Sequence, residues 1–201
     1  MGTREAQKRD QRATILTAAH GLFALRSFDE VTVAEVAEAA GVARATVFNH
    51  FGSKHGLVDA ITEQVLVIYQ EMLTEAVADD AATTGERLRR LASDMGAGIE
   101  VDRAFFRSVF RELSRSQSTR SEDAGRERAT HAARTGLEQL FQRGIDRGEL
   151  DGRHTAFTLA LAFTSLANGV ITEWLAIEDP VPLHTRLTDA IEVLLGPVEK
   201  R

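Results

Sequence analysis

Apolar residues recur along this chain at helical spacing almost from end to end, and no stretch shows the strict alternation of a strand. Ile15, Ala18, Ala19, Leu22 and Phe23 predict a first helix over about Asp10–Leu25 with one buried stripe. Val33, Val36, Ala37 and Ala40 predict a short second helix, and Val47 and Phe51, with Val42 just ahead, a third over about Ala43–His50. A long periodic run follows from Ser53 to about Ala78, through Leu57, Ile61, Val65, Ile68, Met72, Leu73 and Val77. Further helices are expected at about 86–99, 102–115 and 122–147, with polar turns at 79–85 and 116–121 and a capping pair at Thr119 and Glu122. Residues 155–172 carry no charge on any side, which raises a membrane span; the repeated Thr, Ser and Asn argue instead for a helix buried from several sides. Asp179-Pro180-Val181-Pro182 breaks the chain before a last helix over Leu183–Leu195. The expectation is an all-α protein without internal repeats.

The most specific stretch is 32–51, TVAEVAEAAGVARATVFNHF. Thr32 stands where a hydroxyl caps the first free amides of a helix, and Glu35 three residues on completes a capping box. Gly41 ends that helix, because glycine enters the left-handed turn without strain. Ala37, four residues earlier, is small enough to let two helices cross closely. The outer face of the second helix of the pair then carries Arg44, Thr46, Asn49 and His50 with no acid among them, side chains that donate to phosphates and base edges. A plain helical hairpin would also show a polar outer face, but not this combination of cap, small residue, glycine and valines. A DNA-reading helix-turn-helix is the expectation. Ser53 next caps the long helix, whose first turn holds Lys54, and a lysine beside free amides suits a phosphate.

On these residues the chain resembles the DNA-binding domain of the TetR (tetracycline-repressor-like) family, over about residues 10–60. The run TVAEVAEAAGVARATVFNHFGSKHGL is similar to that family's signature almost position for position, while the rest matches only in helical pattern and length. The resemblance implies an N-terminal three-helix DNA-binding domain with helix-turn-helix (1–52), followed by a helical ligand-binding and dimerisation domain (53–201), acting as a dimer. It implies DNA contacts from Thr32, Ala43, Arg44, Thr46, Phe48, Asn49, His50 and Lys54. Two positions depart from the family. Phe48 stands where Tyr is usual, so one phosphate hydrogen bond is missing, and Leu25-Arg26-Ser27-Phe28 lacks a common glycine, so Ser27 must manage that turn.

The net charge of −6 seems wrong for a DNA binder until it is divided. Residues 1–56 hold seven Lys and Arg against six Asp and Glu, and residues 57–201 hold seventeen against twenty-four, so the acid lies away from the reading helices. Arg4, Lys8, Arg9 and Arg12 cluster near the start, either as a solvated terminus or as an arm that touches DNA. Arg103, Arg107, Arg111 and Arg115 form a row on the 102–115 helix that is either solvated or faces an acidic ligand. Cysteine is absent, no histidine pair has helical metal-ligand spacing, and no nucleophile elbow, P-loop or dinucleotide turn occurs. The chain is therefore read as no enzyme, with no cofactor and no metal, and, without an apolar leader, as cytoplasmic.

Two functions remain: a regulator, most simply a repressor, released from a two-fold symmetric operator by a small apolar or amphipathic effector, or a DNA-binding regulator without a ligand and controlled by a protein partner. Met72, Met95, Phe105, Phe106, Phe110, Phe141, Phe157, Phe163 and Trp174 either line an effector pocket or are core. Thr158, Ala162, Ser165, Gly169 and Thr172 form a small uncharged face that suits a homodimer contact, with Leu187 and Ile191 of the last helix beside it.

Overall fold

A computed structural model describes residues 2–116, 124–178 and 180–200. The described residues form nine α-helices: α1 (Gly2–Leu25), α2 (Val33–Ala39), α3 (Arg44–Phe51), α4 (Lys54–Ala78), α5 (Thr84–Val101), α6 (Arg103–Ser116), α7 (Ala124–Asp146), α8 (Ala156–Ala176) and α9 (Leu183–Leu195). A 3-10 turn, Phe28–Glu30, follows α1. Extended pairing among the described residues is one isolated bridge, Leu150 with Glu199.

The chain divides into two compact units. Unit 1 takes Met1–Gln64 and Asp102–Arg126; unit 2 takes Val65–Val101 and Glu127–Arg201. Helix α4 runs through the division without a break, giving residues 54–64 to unit 1 and 65–78 to unit 2.

In unit 1, α1 packs against α2 and α6, and α2 against α3. Ile15, Ala19 and Phe23 of α1 meet Val36 and Ala37 of α2, Val47 of α3, Leu57 and Ile61 of α4, and Phe105 and Val109 of α6 in one apolar core. His20 stacks on Phe105 with ring centres 4.0 Å apart, and its Nε2 lies 2.8 Å from Asp102. Helix α1 starts eight residues before the apolar pattern announced it. Residues 3–9 contain neither proline nor glycine, so the helix propagates backward through residues with no buried stripe to betray it.

Unit 2 is built on α5, α8 and α9, with α9 packed on both of the others. At Gly96 a Cβ would stand 2.4 Å from the His184 Cα, so only a hydrogen fits. The Glu100 carboxylate accepts from the His184 amide at 2.7 Å and lies 3.0 Å from its Nδ1, which ties the start of α9 to the end of α5. Helix α5 begins two residues earlier than expected because Thr83 and Glu86 form a capping box: the Thr83 amide donates to Glu86 Oε2 at 2.8 Å and the Glu86 amide to Thr83 Oγ1 at 3.3 Å. The last carbonyls of α4 accept from Arg87 and Arg143, at Ala76 and Val77 respectively.

By length and composition α8 could cross a bilayer. Leu159, Phe163, Ile171 and Trp174 instead turn inward, and the Trp174 indole N–H donates to the Val181 carbonyl at 2.9 Å. The expected loop at 116–121, with its Thr119–Glu122 pair, lies mostly outside the described residues.

Candidate nucleic-acid interface

The capping box that starts α2 is present. Thr32 Oγ1 accepts from the Glu35 amide at 3.2 Å, and Glu35 Oε2 accepts from the Thr32 amide at 2.8 Å and its hydroxyl at 2.7 Å. The Arg26 guanidinium donates to the other carboxylate oxygen at 2.8 Å. These bonds, the Thr32 hydroxyl's first and Arg26 next, hold the Glu35 carboxyl down at about 2. At the other end Gly41 takes φ +65°. Its amide donates to Glu38 at 3.1 Å, and the Val42 amide to Ala37 at 2.9 Å. This is the Schellman closure, and it satisfies two carbonyls as the chain turns into α3.

Helix α3 is anchored by Val47, which is buried against the unit 1 core. Ala43 caps α3 without a side-chain bond, and within the first turn the Thr46 amide donates to the Ala43 carbonyl at 2.9 Å. Arg44, Ala45 and Asn49 are exposed, with no acid between Val42 and Val58. Phe48 is 39% exposed, and the Arg44 guanidinium carbon lies 5.3 Å from its ring centre, an i,i+4 pair. The phenyl ring that lacks the tyrosine hydroxyl is thus a platform for the arginine.

Thr46 and His50, expected on the outer face, are half-buried. His50 turns toward α1, with Nε2 3.0 Å from Gln11 Oε1. Its burial, then the charges of Lys8 and Arg12, lower its pKa below the usual histidine value. The helical spacing placed His50 near the edge of α3, and the extra turns of α1 decide which way it faces.

The turn before α2 needs no glycine. Ser27 sits at φ −62°, ψ 155°, ordinary extended backbone, and caps the 3-10 turn through Glu30. After α3, Gly52 takes φ +70° and Ser53 Oγ accepts from the Gly56 amide at 3.0 Å, which starts α4. The Lys54 ammonium lies 4.1 Å from the Phe28 ring centre and 3.4 Å from the Asp29 carbonyl, so its position is set by the turn behind α2.

The residues expected in an effector pocket do not form one group. Phe105 and Phe106 belong to the core of unit 1 with α1. Phe141 and Phe163 meet edge-on inside unit 2, with ring centres 6.3 Å apart. Met72 borders a cleft of about 290 Å³ in unit 2 whose other walls include Glu75, Asp79, Arg87, Arg90 and Asp94, a polar rather than apolar lining. Met95 and Phe110 are half-buried. Of the arginine row on α6, Arg103 and Arg107 are half-buried rather than fully solvated, and the side chains of Arg111 and Arg115 lie outside the described residues.

Of the residues expected in a dimer contact, Thr158, Ser165, Gly169 and Thr172 are exposed and Ala162 is half-buried. Phe157 and Leu161, 47% and 52% exposed, lie among them on α8. Leu187 and Ile191 are corrected: both are fully buried in the protomer's own core, because α9 uses that face against α5 and α8. The outward apolar residue of α9 is Val193.

Residues 15–61, which hold all of α2 and α3, match the family described as bacterial regulatory proteins, tetR family. The chain is 26% identical over 201 residues to the HTH-type transcriptional regulator TtgR of Pseudomonas putida, covering 98% of this chain and 89% of TtgR. Among solved structures, the FadR repressor of Thermus thermophilus in complex with lauroyl-CoA has a TM-score of 0.71 at 24% identity, covering 94% of this chain and 96% of that one. SmeT, the repressor of the Stenotrophomonas maltophilia multidrug efflux pump SmeDEF, has a TM-score of 0.74 at 21% identity, covering 94% and 90%.

Proposed function

We propose that this chain, whose residues 15–61 match the tetR family of bacterial regulatory proteins, is a repressor of that family that binds a two-fold symmetric operator as a homodimer and leaves it when an apolar or amphipathic effector binds. The carrying observation is α3: a short helix pinned by Val47, with an outward Arg44 on its Phe48 platform and no Asp or Glu in residues 42–58. Residues 1–52 are the reading domain and 53–201 the effector and dimerisation domain, inside a cytoplasmic protein. Thr32, Ala43, Arg44, Thr46, Phe48, Asn49, His50 and Lys54 are its DNA-contacting residues, with Arg44 on a base edge and Lys54 on a phosphate.

Two copies meet through the small uncharged face of α8 around Gly169, where an added Cβ meets nothing within 4 Å. Exposed Phe157 and Leu161 of α8 and Val193 of α9 give that contact its apolar area. An effector must prefer a dimer whose reading helices no longer match successive major grooves, and α4, common to both units, is the element through which such a preference would act. Similarity to a repressor solved with lauroyl-CoA supports an amphipathic effector.

The test is selection of a duplex from a random-sequence pool by the full-length protein, followed by titration of variants. Arg44→Ala should lose about 1–3 kcal/mol on the selected duplex and relax the preference at one base pair. Lys54→Ala should weaken all sequences alike and reduce the salt slope by about 0.9. If the parent selects no sequence, the reading is wrong; if Arg44→Ala matches the parent on selected and random duplexes, the base contact is misassigned.

A further inference from the structure

The added turns of α1 create a feature that the reading helix alone would not have. Within unit 1 the first half of α1 and the last turn of α3 wall a groove of about 550 Å³, lined by Glu5, Lys8, Arg9, Arg12, Asn49 and His50. Three cations of one helix therefore face the polar end of another, against a single carboxylate, Glu5. The walls are held from inside. The Arg12 guanidinium carbon lies 5.2 Å from the Phe51 ring centre, and its Nη2 lies 3.8 Å from Glu63. Gln11 and His50 bridge α1 and α3 at 3.0 Å. Lys8 and Arg9, which line the groove, are exposed.

We propose that this groove seats a phosphate of the DNA backbone, with Lys8, Arg9 and Arg12 supplying the charge and the Asn49 side-chain amide a hydrogen bond. The proposal rests on the DNA-binding reading above and adds a backbone contact formed by residues separate from Lys54. The ligand class follows from the lining. A phosphodiester is a small anion that accepts hydrogen bonds on two free oxygens, and Arg, Lys and Asn are the side chains that donate to it. The position follows from Asn49, which stands on the exposed face of α3 one turn from Arg44's end of the platform, so a strand engaged by α3 is within reach of the same groove. His50 faces Lys8, Arg9, Arg12 and Glu5 from α1, and Asn49 and Phe51 on its own helix. Burial first, and then the charges of Lys8 and Arg12, hold the His50 pKa below the usual histidine value at this wall.

The experiment uses the full chain and a mixed-sequence duplex, titrated by fluorescence anisotropy over a range of salt concentrations. Three proteins are compared: the parent, Lys8→Ala/Arg9→Ala, and Arg134→Ala/Lys200→Ala, which removes equal charge from exposed positions of unit 2. The substituted side chains are all on the surface, and far-ultraviolet circular dichroism checks that helix content is unchanged. The slope of log K against log salt should fall by about 0.9 in the α1 variant, the value for one lost phosphate contact, and stay at the parent's value in the control. An α1 variant with the control's slope overturns the groove while the DNA reading stands. A parent that binds no duplex overturns both.

Discussion

Replacing Gly41 tests whether the turn that delivers α3 is held by backbone conformation alone. Gly41 sits at φ +65°, and an added Cβ would meet nothing within 4 Å. A substitution there has no steric component, so its whole cost comes from the left-handed backbone. That cost is about 1–2 kcal/mol for an ordinary L-residue. Stiffening the unfolded chain returns about 0.4–1 kcal/mol. Gly41→Ala should therefore lose about 1 kcal/mol, and Gly41→Asn less, since asparagine tolerates this region better. Gly41→Gln should cost no more than alanine, because the extra atoms enter open space. For a unit of this size 1 kcal/mol lowers the melting temperature by about 4–8 °C. Differential scanning calorimetry reads the unfolding transition, and titration with duplex well below it should give the parent's affinity, because Val47 still docks α3. A cost that climbs with side-chain size, or an alanine variant as stable as the parent, would refute the reasoning.

Three further outcomes are expected. Glu35 has its pKa lowered to about 2 from an ordinary value of 4.5, so its contribution to stability is complete above pH 4.5 and is lost as pH falls toward 2. Urea midpoints between pH 6 and pH 3 should fall more steeply for the parent than for Glu35→Gln, and parallel curves would show that the capping carboxylate carries no pH dependence. Gly96→Ala forces a Cβ to 2.4 Å from backbone of His184, so α5 and α9 must separate; a loss of about 1–3 kcal/mol is expected from overpacking, and a neutral result in chemical denaturation would put the helix contact elsewhere. Gly169→Arg places two like charges at the proposed dimer contact and should give monomers by sedimentation at micromolar concentration, whereas a variant that stays dimeric moves the contact to another face.

Much of unit 1 was legible because its signals are local. A capping box needs only Thr32 and Glu35 three residues apart, and a Schellman turn needs only a residue that tolerates positive φ after the last helical turn. Ser53 starting α4 and the bounds of α9 are of the same kind. The extension of α1 was not legible, because a helix exposed on most sides lacks apolar periodicity, although Arg4, Lys8 and Arg12 at four-residue intervals were a faint sign. The Arg44–Phe48 pair also had a visible signal in its i,i+4 spacing, overshadowed by the missing tyrosine hydroxyl.

By itself, then, the sequence determined an all-α chain, the cap and turn that frame α3, and an acid-free outer face on that helix, since each depends on residues within one or two turns of one another. Only the tertiary structure decided where the faces of helices were spent. A helix with several apolar positions can turn any of them inward, and its neighbours make the choice. That is why Leu187 and Ile191 serve the core of unit 2, why Phe105 joins α1 rather than an effector pocket, and why Gly96 is glycine. It is also why His50 faces α1: the residues that meet it, Lys8, Gln11 and Arg12, lie about forty residues away in sequence and reach it only because α1 and α3 share one core.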